Sequence, residues 1–490
     1  MTLDPRTPVL VGAGAVLQRE DDPAAAREPC DLMADALERA AADAGSARLL
    51  AEADLIAVPK GLWHYGDPAR LVAARVGAVR ARTLLAEIGI LQQTLVNRAC
   101  ADIAAGKADV VVVAGGEARY RRQRARRLGV RADETPQAGV VPDVVLRPDG
   151  DLWAPLEAER GLVMPVNAYA VMENALRHAD GRSLDAHRDE IAALWAGFSR
   201  VAATNPYAWR REPVPAAAIR DPSAANPMLA FPYTKLHNSQ WNVDQAAALI
   251  VCSVAKARAL GLPSDGWVFP LAGTESNLIL PVAMRAEMQR SPATALAGAR
   301  ALALAGLGID AVGHVDLYSC FPVAVRIQAR ELGLGGDRPL TVTGGMTFAG
   351  GPLNNYVLQA LVRMAGILRE DRAATGMVTA VSGMLTKQGV GLWSATPPRA
   401  GFRCEDVTAA ATAATTARPL VAEHDGPATV ASYTVLYMDG SPIRGIAVCD
   451  LPDGARTIAT TEDPGEAAAM AAEEQCGRAV RIGAGGRLAP

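Results

Sequence analysis

ADVVVVAGGEA, residues 108–118, is a run of valines and alanines closed by two glycines and an acid, the composition of a strand buried on both faces. The stretch before it, from Leu91 to Ala105, has helical periodicity and reaches the strand through Gly106, so helix and strand meet at a glycine turn. Farther out, PVLVGAGAV at 8–16 and ADLIAVPKG at 53–61 read as two more buried strands, with an amphipathic helix from Pro29 to Ala44 between them. The glycines of GAGAV at 12–16 read as a tight strand-to-helix turn. They lack the full GxGxxG spacing with a following acid, so no dinucleotide loop is expected.

The same succession returns later. WVFPLAGTES (267–276) and HVDLYSCFP (314–322) repeat the strands, and a helix around Leu358–Leu368 leads into GMVTAVSGM (376–384). Val9 to Asp54 is about 45 residues and Val268 to Asp316 about 48; Asp54 to Gly116 is about 62 and Asp316 to Gly383 about 67, a register that marks an internal duplication. Each half alternates strand with helix, which predicts two mostly parallel sheets covered by helices and stacked as an α/β/α/β/α body. The predicted division is 1–118 with 242–265 for the first half, 119–241 for an inserted, partly helical excursion, 266–398 for the second half and 405–490 for a tail. An alanine-rich stretch at 408–418 reads as a linker. Beyond it, residues 428–461 alternate with period two, and Asp-Gly pairs at 439–440 and 453–454 mark hairpins of a small antiparallel β domain.

The 490 residues carry 21% charged side chains and a net charge of −3, which offers no electrostatic footprint for nucleic acid. No window approaches about eighteen uninterrupted apolar residues, and MTLDPRTPVLVGAG has an acid and a proline where a signal peptide has cations and an apolar run. No membrane span and a cytoplasmic location are therefore expected. The seven cysteines are scattered and never spaced CxxC, and no histidines have HxxxH-like spacing, so neither a disulfide framework nor a metal site is predicted.

Five stretches in order, ADVVVVAGGEA (108–118), WNVDQAAALIVCS (241–253), DLYSCFP (316–322), GGMTFAGGPLNNY (344–356) and TAVSGMLTKQGVG (379–391), together resemble the thiolase family. The resemblance is closest to the sterol carrier protein-associated thiolases and the thiolase-like proteins of type 1, and spans residues 1 to about 398. It implies the thiolase fold, a place in the acyltransferase superfamily of lipid metabolism, an acyl-CoA thioester or coenzyme A as ligand, no permanently bound cofactor, and a homodimer or monomer. The tail resembles the additional C-terminal domain of the type 1 proteins and is similar to OB-fold modules that accompany some thiolase-fold aldolases. That implies an OB-like β-barrel, with three roles open to it: covering the acyl end of the pocket, docking a protein partner or occluding the usual dimer face.

In the family the nucleophilic cysteine stands at the N-terminus of the helix before the AGG strand, where the helix dipole lowers its pKa. Counting back from Gly106 puts that position at or beside Gly89. The family's GHP loop is Gly350-Gly351-Pro352 here, so Gly351 takes the histidine's place, and the second cysteine falls at Ala380 to Ser382. Tyr318 and Ser319 stand at the first two positions of the oxyanion motif, ahead of Cys320 and Phe321. Cys100, three turns along the nucleophile's helix, reads as a small buried hydrophobe. Cys-dependent thiolysis is not expected of such a set.

Three functions remain open. One is an acyltransferase-superfamily enzyme of altered chemistry, whose specific form is retro-aldol cleavage of a 3-hydroxyacyl-CoA through Tyr318, with Tyr356 across the pocket. The others are a non-catalytic acyl-CoA or lipid-binding protein, and a subunit that needs a catalytic partner. Candidates for holding coenzyme A are Arg210, Arg211, Lys235, His237, Asn238, Ser239 and Asn242; RYRRQRARR at 119–127 is either a solvated segment or a phosphate-binding one. His64, near a strand end, is a further residue that could reach the pocket.

Overall fold

The computed structural model describes residues 3–336 and 338–489. Sheet 1 holds β1 (Pro8–Gln18), β2 (Leu55–Pro59), β3 (Arg82–Ala86), β4 (Val110–Ala118), β5 (Val144–Leu146) and β8 (Asp244–Ser253), in the order β1-β8-β4-β2-β3-β5. Sheet 2 holds β9 (Phe269–Ser276), β10 (His314–Asp316), β11 (Thr375–Ser382), β12 (Lys387–Ser394) and β13 (Arg403–Asp406), in the order β10-β11-β12-β9-β13. The duplication shows in the pairing: β1-β8-β4-β2 and β9-β12-β11-β10 share both order and sense, antiparallel, antiparallel, then parallel. The sheets are therefore mixed rather than mostly parallel. In each half the fourth strand returns to lie between the first and third and runs against both.

Two helices, Gln92–Ala104 and Tyr356–Glu370, fill the space between the sheets. Leu95, Val96 and Ile103 of one and Val357, Leu361 and Met364 of the other share a core with Leu249 of β8 and Val378 of β11. Helix Pro29–Asp43 covers the outer face of sheet 1, and helices Pro292–Ala305 and Pro322–Glu331 cover that of sheet 2, completing five layers. Val110 to Val113 are all fully buried, as the opening stretch predicts, and each such burial is worth about 1.5–3 kcal/mol.

The GAGAV segment is not a turn. β1 runs straight through it, because a Cβ on Gly12 would stand 2.1 Å from the Ala40 carbonyl oxygen and one on Gly14 2.2 Å from that of Ala36. These glycines let the covering helix lie directly on the strand. The 408–418 stretch is likewise more than a linker. Residues Thr408–Ala414 form a helix with Ala411 fully buried, as alanine's propensity favours once one face is covered, and β13 ahead of it adds to sheet 2.

The tail closes as a five-stranded barrel of β14 (Gly426–Met438), β15 (Ser441–Asp450), β16 (Arg456–Thr461), β17 (Ala479–Gly483) and β18 (Arg487–Ala489), joined in the ring β14-β15-β16-β18-β17-β14. Asp439 (φ 51°) and Gly440 (φ 82°) make the tight β14–β15 turn that the Asp-Gly pair predicts. The inserted segment contributes to both neighbours: β5 extends sheet 1, while β6 (Met228–Ala230) and β7 (Tyr233–Thr234) extend the barrel sheet through Ala230 beside Leu436. Helix Pro165–Ala179 of the insertion also holds the barrel, with Ser432 Oγ donating to Val171 O (2.6 Å) and Asn174 Nδ2 to Tyr433 O (3.0 Å). Ile446, Val448 and Ile458 of the barrel pack in one core with Tyr169 and Phe321, so the barrel reaches the segment that follows β10. Among the described residues no helix is long and apolar enough to cross a membrane.

Candidate functional site

Of three positions singled out by the resemblance, one lies in a turn, one in a loop and one at a strand end. Gly89 (φ 106°) sits between β3 and helix Gln92–Ala104, and a Cβ there would stand 2.9 Å from Pro148 Cγ. Gly351 lies in the loop before helix Tyr356–Glu370. Its N–H donates to Gln240 O (2.8 Å), and a Cβ would meet those of Ser239 at 3.2 Å and Met346 at 3.3 Å. Ser382 ends β11 opposite Lys387. In the turn between them a Cβ on Gly383 would stand 3.1 Å from Leu152 Cδ2, and the Gly383 carbonyl accepts from the Tyr169 hydroxyl (3.2 Å). Arg285, buried and lowered by that burial to about 10, donates to Met384 O (2.6 Å) in the same turn. Pro148 and Leu152 belong to one irregular segment, so residues 147–152 run across the turns of Gly89 and Gly383 together.

The Tyr318-Ser319-Cys320-Phe321 segment follows β10 and is anchored at both ends. Tyr318 N–H donates to Thr379 Oγ1 (2.8 Å), its carbonyl accepts from Gln328 Nε2 (2.8 Å), and Phe321 stacks on Tyr169 with centroids 4.6 Å apart. Tyr318 and Tyr356 meet edge-to-face at 5.9 Å, as the sequence predicts, but their hydroxyls differ. That of Tyr356 donates to Asp316 Oδ1 (2.9 Å) and contacts Thr343 Oγ1 (2.6 Å) and Ser319 Oγ (3.1 Å). Asp316 Oδ2 also accepts from Thr341 Oγ1 (2.9 Å), Thr343 Oγ1 (2.9 Å) and the N–H groups of Val342 (2.9 Å) and Thr343 (3.0 Å). Tyr356 and Ser319 thus brace the glycine loop around a buried carboxylate whose pKa desolvation raises against those hydrogen bonds. The Tyr318 hydroxyl makes no hydrogen bond among the described residues, and burial raises its pKa, so it is a neutral phenol. Burial likewise pushes Cys320 up to about 12 and raises Cys100, which leaves both as thiols.

The residues considered for coenzyme A divide. Arg210, Arg211 and Lys235 are exposed, and Asn242 is half-buried. Asn238 Nδ2 instead donates to Thr234 O (2.8 Å) and Ser239 Oγ to Cys320 O (3.0 Å). His237 is buried with Nδ1 facing Thr234 Oγ1 (2.9 Å); burial lowers it to about 3, so it stays neutral. RYRRQRARR forms helix Arg119–Leu128, where Arg119 lies over Trp241 (3.8 Å), Arg122 pairs with Glu134 (2.7 Å) and Arg124 with Asp21 (3.5 Å). Those three partners weaken the phosphate reading of that segment, and only Arg126 and Arg127 at its end are exposed without a partner among the described residues. His64 is not at the site: it is exposed and faces Glu134 (3.8 Å). Among the described residues, His178, Glu474 and Cys476 form one group with metal-like spacing and Glu28, Cys30 and Asp31 another. In each an arginine occupies the carboxylates, Arg177 on Glu474 and Arg75 on Glu28 and Asp31.

The sequence reading missed two groups. Glu117, near the end of β4, is 1% exposed; its Oε1 accepts from Leu62 N–H (2.7 Å), its Oε2 has no partner among the described residues, and burial pushes it up to about 7. Lys387 is 2% exposed at the start of β12, opposite Ser382, and its ammonium has no hydrogen bond or ion pair among the described residues. The only signal was compositional: five of the 49 Lys and Arg residues are lysines, and this one begins an otherwise apolar and glycine-rich strand.

A family model described as the thiolase-like protein type 1 additional C-terminal domain matches residues 407–487. Comparison with curated protein sequences finds no match. Among solved structures, a monomeric SCP2-thiolase like protein type 1 from Mycobacterium smegmatis is 28% identical, with all of both chains covered and a TM-score of 0.83. The Ltp2-ChsH2(DUF35) aldolase is 20% identical over 80% of this chain and 98% of that one, with a TM-score of 0.61. An acetyl-CoA acetyltransferase from Syntrophomonas wolfei is 20% identical over 80% of this chain and 100% of that one, with a TM-score of 0.56. With the paired halves and the closed barrel, these findings give the conclusion: the chain is a thiolase-fold protein that carries the additional C-terminal domain of thiolase-like protein type 1.

Proposed function

We propose that the chain binds an acyl-CoA thioester in its thiolase-type cleft and forms no acyl-cysteine intermediate. The observation that carries this reading is the packing at the altered positions. Pro148 lies against Gly89, where a Cβ would stand 2.9 Å from its Cγ, and Ser239 and Met346 lie against Gly351 at 3.2 and 3.3 Å, so a larger side chain at either position would have to displace its neighbours. Cys320 is the cysteine of the Tyr318–Phe321 segment, and at about 12 it is a thiol at neutral pH, whereas the thiolate is the nucleophile. Arg210, Arg211 and Lys235 supply exposed cations for the ligand's phosphates.

A second reading, retro-aldol cleavage of a 3-hydroxyacyl-CoA, rests on the unpartnered Tyr318 hydroxyl and on the likeness to a protein named as an aldolase. As a neutral phenol Tyr318 donates a hydrogen bond to the developing enolate oxygen rather than taking the substrate's proton. Titrating purified protein with acetyl-CoA, longer acyl-CoA and 3-hydroxyacyl-CoA thioesters, and following products by mass spectrometry, tests both readings. Binding without product supports a silent binding protein or a partner subunit; aldehyde or ketone release that Tyr318→Phe abolishes supports the aldolase. Absence of any binding overturns both. The Mycobacterium smegmatis relative is monomeric, and a monomer is the state expected for this chain by light scattering.

A further inference from the structure

At the N-terminal ends of β2, β3 and β4 the surface opens into a cavity of about 750 Å³, with Leu55, Ala108 and Val144 as its apolar lining. Gly89 and Glu117 lie toward the other ends of β3 and β4, so this cavity is separate from the site described above. Five cations against three carboxylates line it, an excess of two positive charges in a chain whose net charge is −3. The carboxylates are largely committed. Glu52 takes Lys256 (3.1 Å) and Arg48 (2.8 Å), and Asp102 lies between Arg98 (3.6 Å) and Lys107 (4.0 Å). Asp54 Oδ2 accepts from the N–H groups of Asp109 (2.7 Å) and Val110 (3.0 Å), which hold that acid on β4. Arg82 N–H donates to Asp54 O (3.0 Å), yet the two side chains form no ion pair. Arg80 and Arg82 are therefore left with no side-chain hydrogen bond or ion pair among the described residues, and Asp54 Oδ1 with no donor. Ala81 between the two arginines is buried and its N–H donates to Ala78 O (3.0 Å), so the backbone that presents them is fixed, and alternation about it puts both on the cavity side. A guanidinium fork matches phosphate oxygens two at a time, and a carboxylate oxygen without a donor suits a hydroxyl. The volume lies within the range of about 300–1,000 Å³ common for small-ligand sites.

We infer that this cavity binds a sugar phosphate, with the phosphate held by Arg80 and Arg82, a sugar hydroxyl donating to Asp54 Oδ1, and the uncharged face of the ligand against Leu55, Ala108 and Val144. Simple sugar phosphates and nucleotides share that chemistry. The site does not depend on acyl-CoA binding, because Arg210, Arg211 and Lys235 stand outside the cavity.

The test is calorimetric titration of the full-length protein with ribose 5-phosphate, ADP, ribose and inorganic phosphate at about 0.1 M salt, where long-range attraction between exposed charges is screened. Ribose 5-phosphate and ADP are expected to saturate with a Kd below about 1 mM, ribose not to bind, and inorganic phosphate to bind at least about tenfold more weakly. ADP binding about tenfold tighter than ribose 5-phosphate identifies the ligand as a nucleotide; equal binding identifies a simple sugar phosphate. Arg80→Gln combined with Arg82→Gln should weaken both at least about tenfold with the urea midpoint unchanged, since these exposed side chains have no bond to lose. No saturable binding of either phosphate ester, binding that the double variant leaves intact, or inorganic phosphate binding as tightly as ribose 5-phosphate would each overturn the inference. Acetyl-CoA is titrated into the same double variant and should still bind; its loss together with that of ribose 5-phosphate would put both ligands on one site and overturn a separate one. Ribose 5-phosphate binding to the parent chain without acetyl-CoA binding removes the acyl-CoA reading and leaves this site standing.

Discussion

Two polar clusters flank the central helices, and they are finished to different degrees. Around Asp316 the carboxylate receives hydrogen bonds from Thr341, Thr343, Tyr356 and two backbone N–H groups. Along β12, Gln93 Oε1, Gln388 Nε2 and Trp393 Nε1 are buried without a hydrogen-bond partner among the described residues, and across the fold Glu117 Oε2 shares that condition. A satisfied buried network rigidifies what it touches, while an unsatisfied buried group costs about 1–3 kcal/mol and persists where a ligand, a proton or water completes it. The first cluster braces the glycine loop; the second leaves buried hydrogen-bonding groups unused.

Breaking the brace gives the largest effect. Asp316→Ala leaves the Tyr356 hydroxyl and two threonines without their acceptor and is expected to lose about 4 kcal/mol in urea unfolding; a loss under about 1 kcal/mol would mean the network is not a brace. Glu117 follows. Burial lifts it to about 7, so the folded chain keeps a proton that the unfolded chain releases near pH 4.5, and stability falls as pH rises through that window. Glu117→Gln should therefore stabilise the chain by about 2 kcal/mol at pH 8 and flatten the slope between about pH 4.5 and 7; a variant less stable at pH 8 would refute it.

The paired tyrosines sharpen the comparison. Tyr356→Phe should lose about 1–2 kcal/mol through its three hydroxyl contacts, whereas Tyr318→Phe, with no bond to lose, should stay within about 0.5 kcal/mol of the parent by the same measurement. Smallest is Lys387→Met, which removes the charge from a lysine that is 2% exposed and has no ion pair among the described residues, and should be neutral or raise stability by about 1 kcal/mol; a marked loss would show that the charge is stabilised in the fold.

How much of this the sequence reveals follows from what kind of signal each part leaves. The valine run at 110–113, the central helices and the Asp-Gly turn at 439–440 are local patterns, and they were legible with their boundaries nearly right. The sense of β8 and β12 was not, because pairing direction depends on the path of the whole half and not on composition. Gly12 and Gly14 were read as a turn since the helix that presses on them lies more than twenty residues away. At the site, Tyr318, Tyr356 and Gly351 were found through motif order. Asp316 and Lys387 lie inside quoted motifs without a role assigned to either, because a carboxylate's five donors and a lysine's burial exist only in three dimensions. Glu117 was hidden for the same reason.

The β6–β7 hairpin carries one more consequence. The ribosome delivers it about two hundred residues before β14, the strand against which Ala230 is paired with Leu436. Because domains fold from the N-terminus as they emerge, the middle of this chain is made early and finished last. Its hairpin edge must wait unpaired until the barrel is released, which makes that interval the stage of biogenesis most exposed to mispairing and most in need of a chaperone.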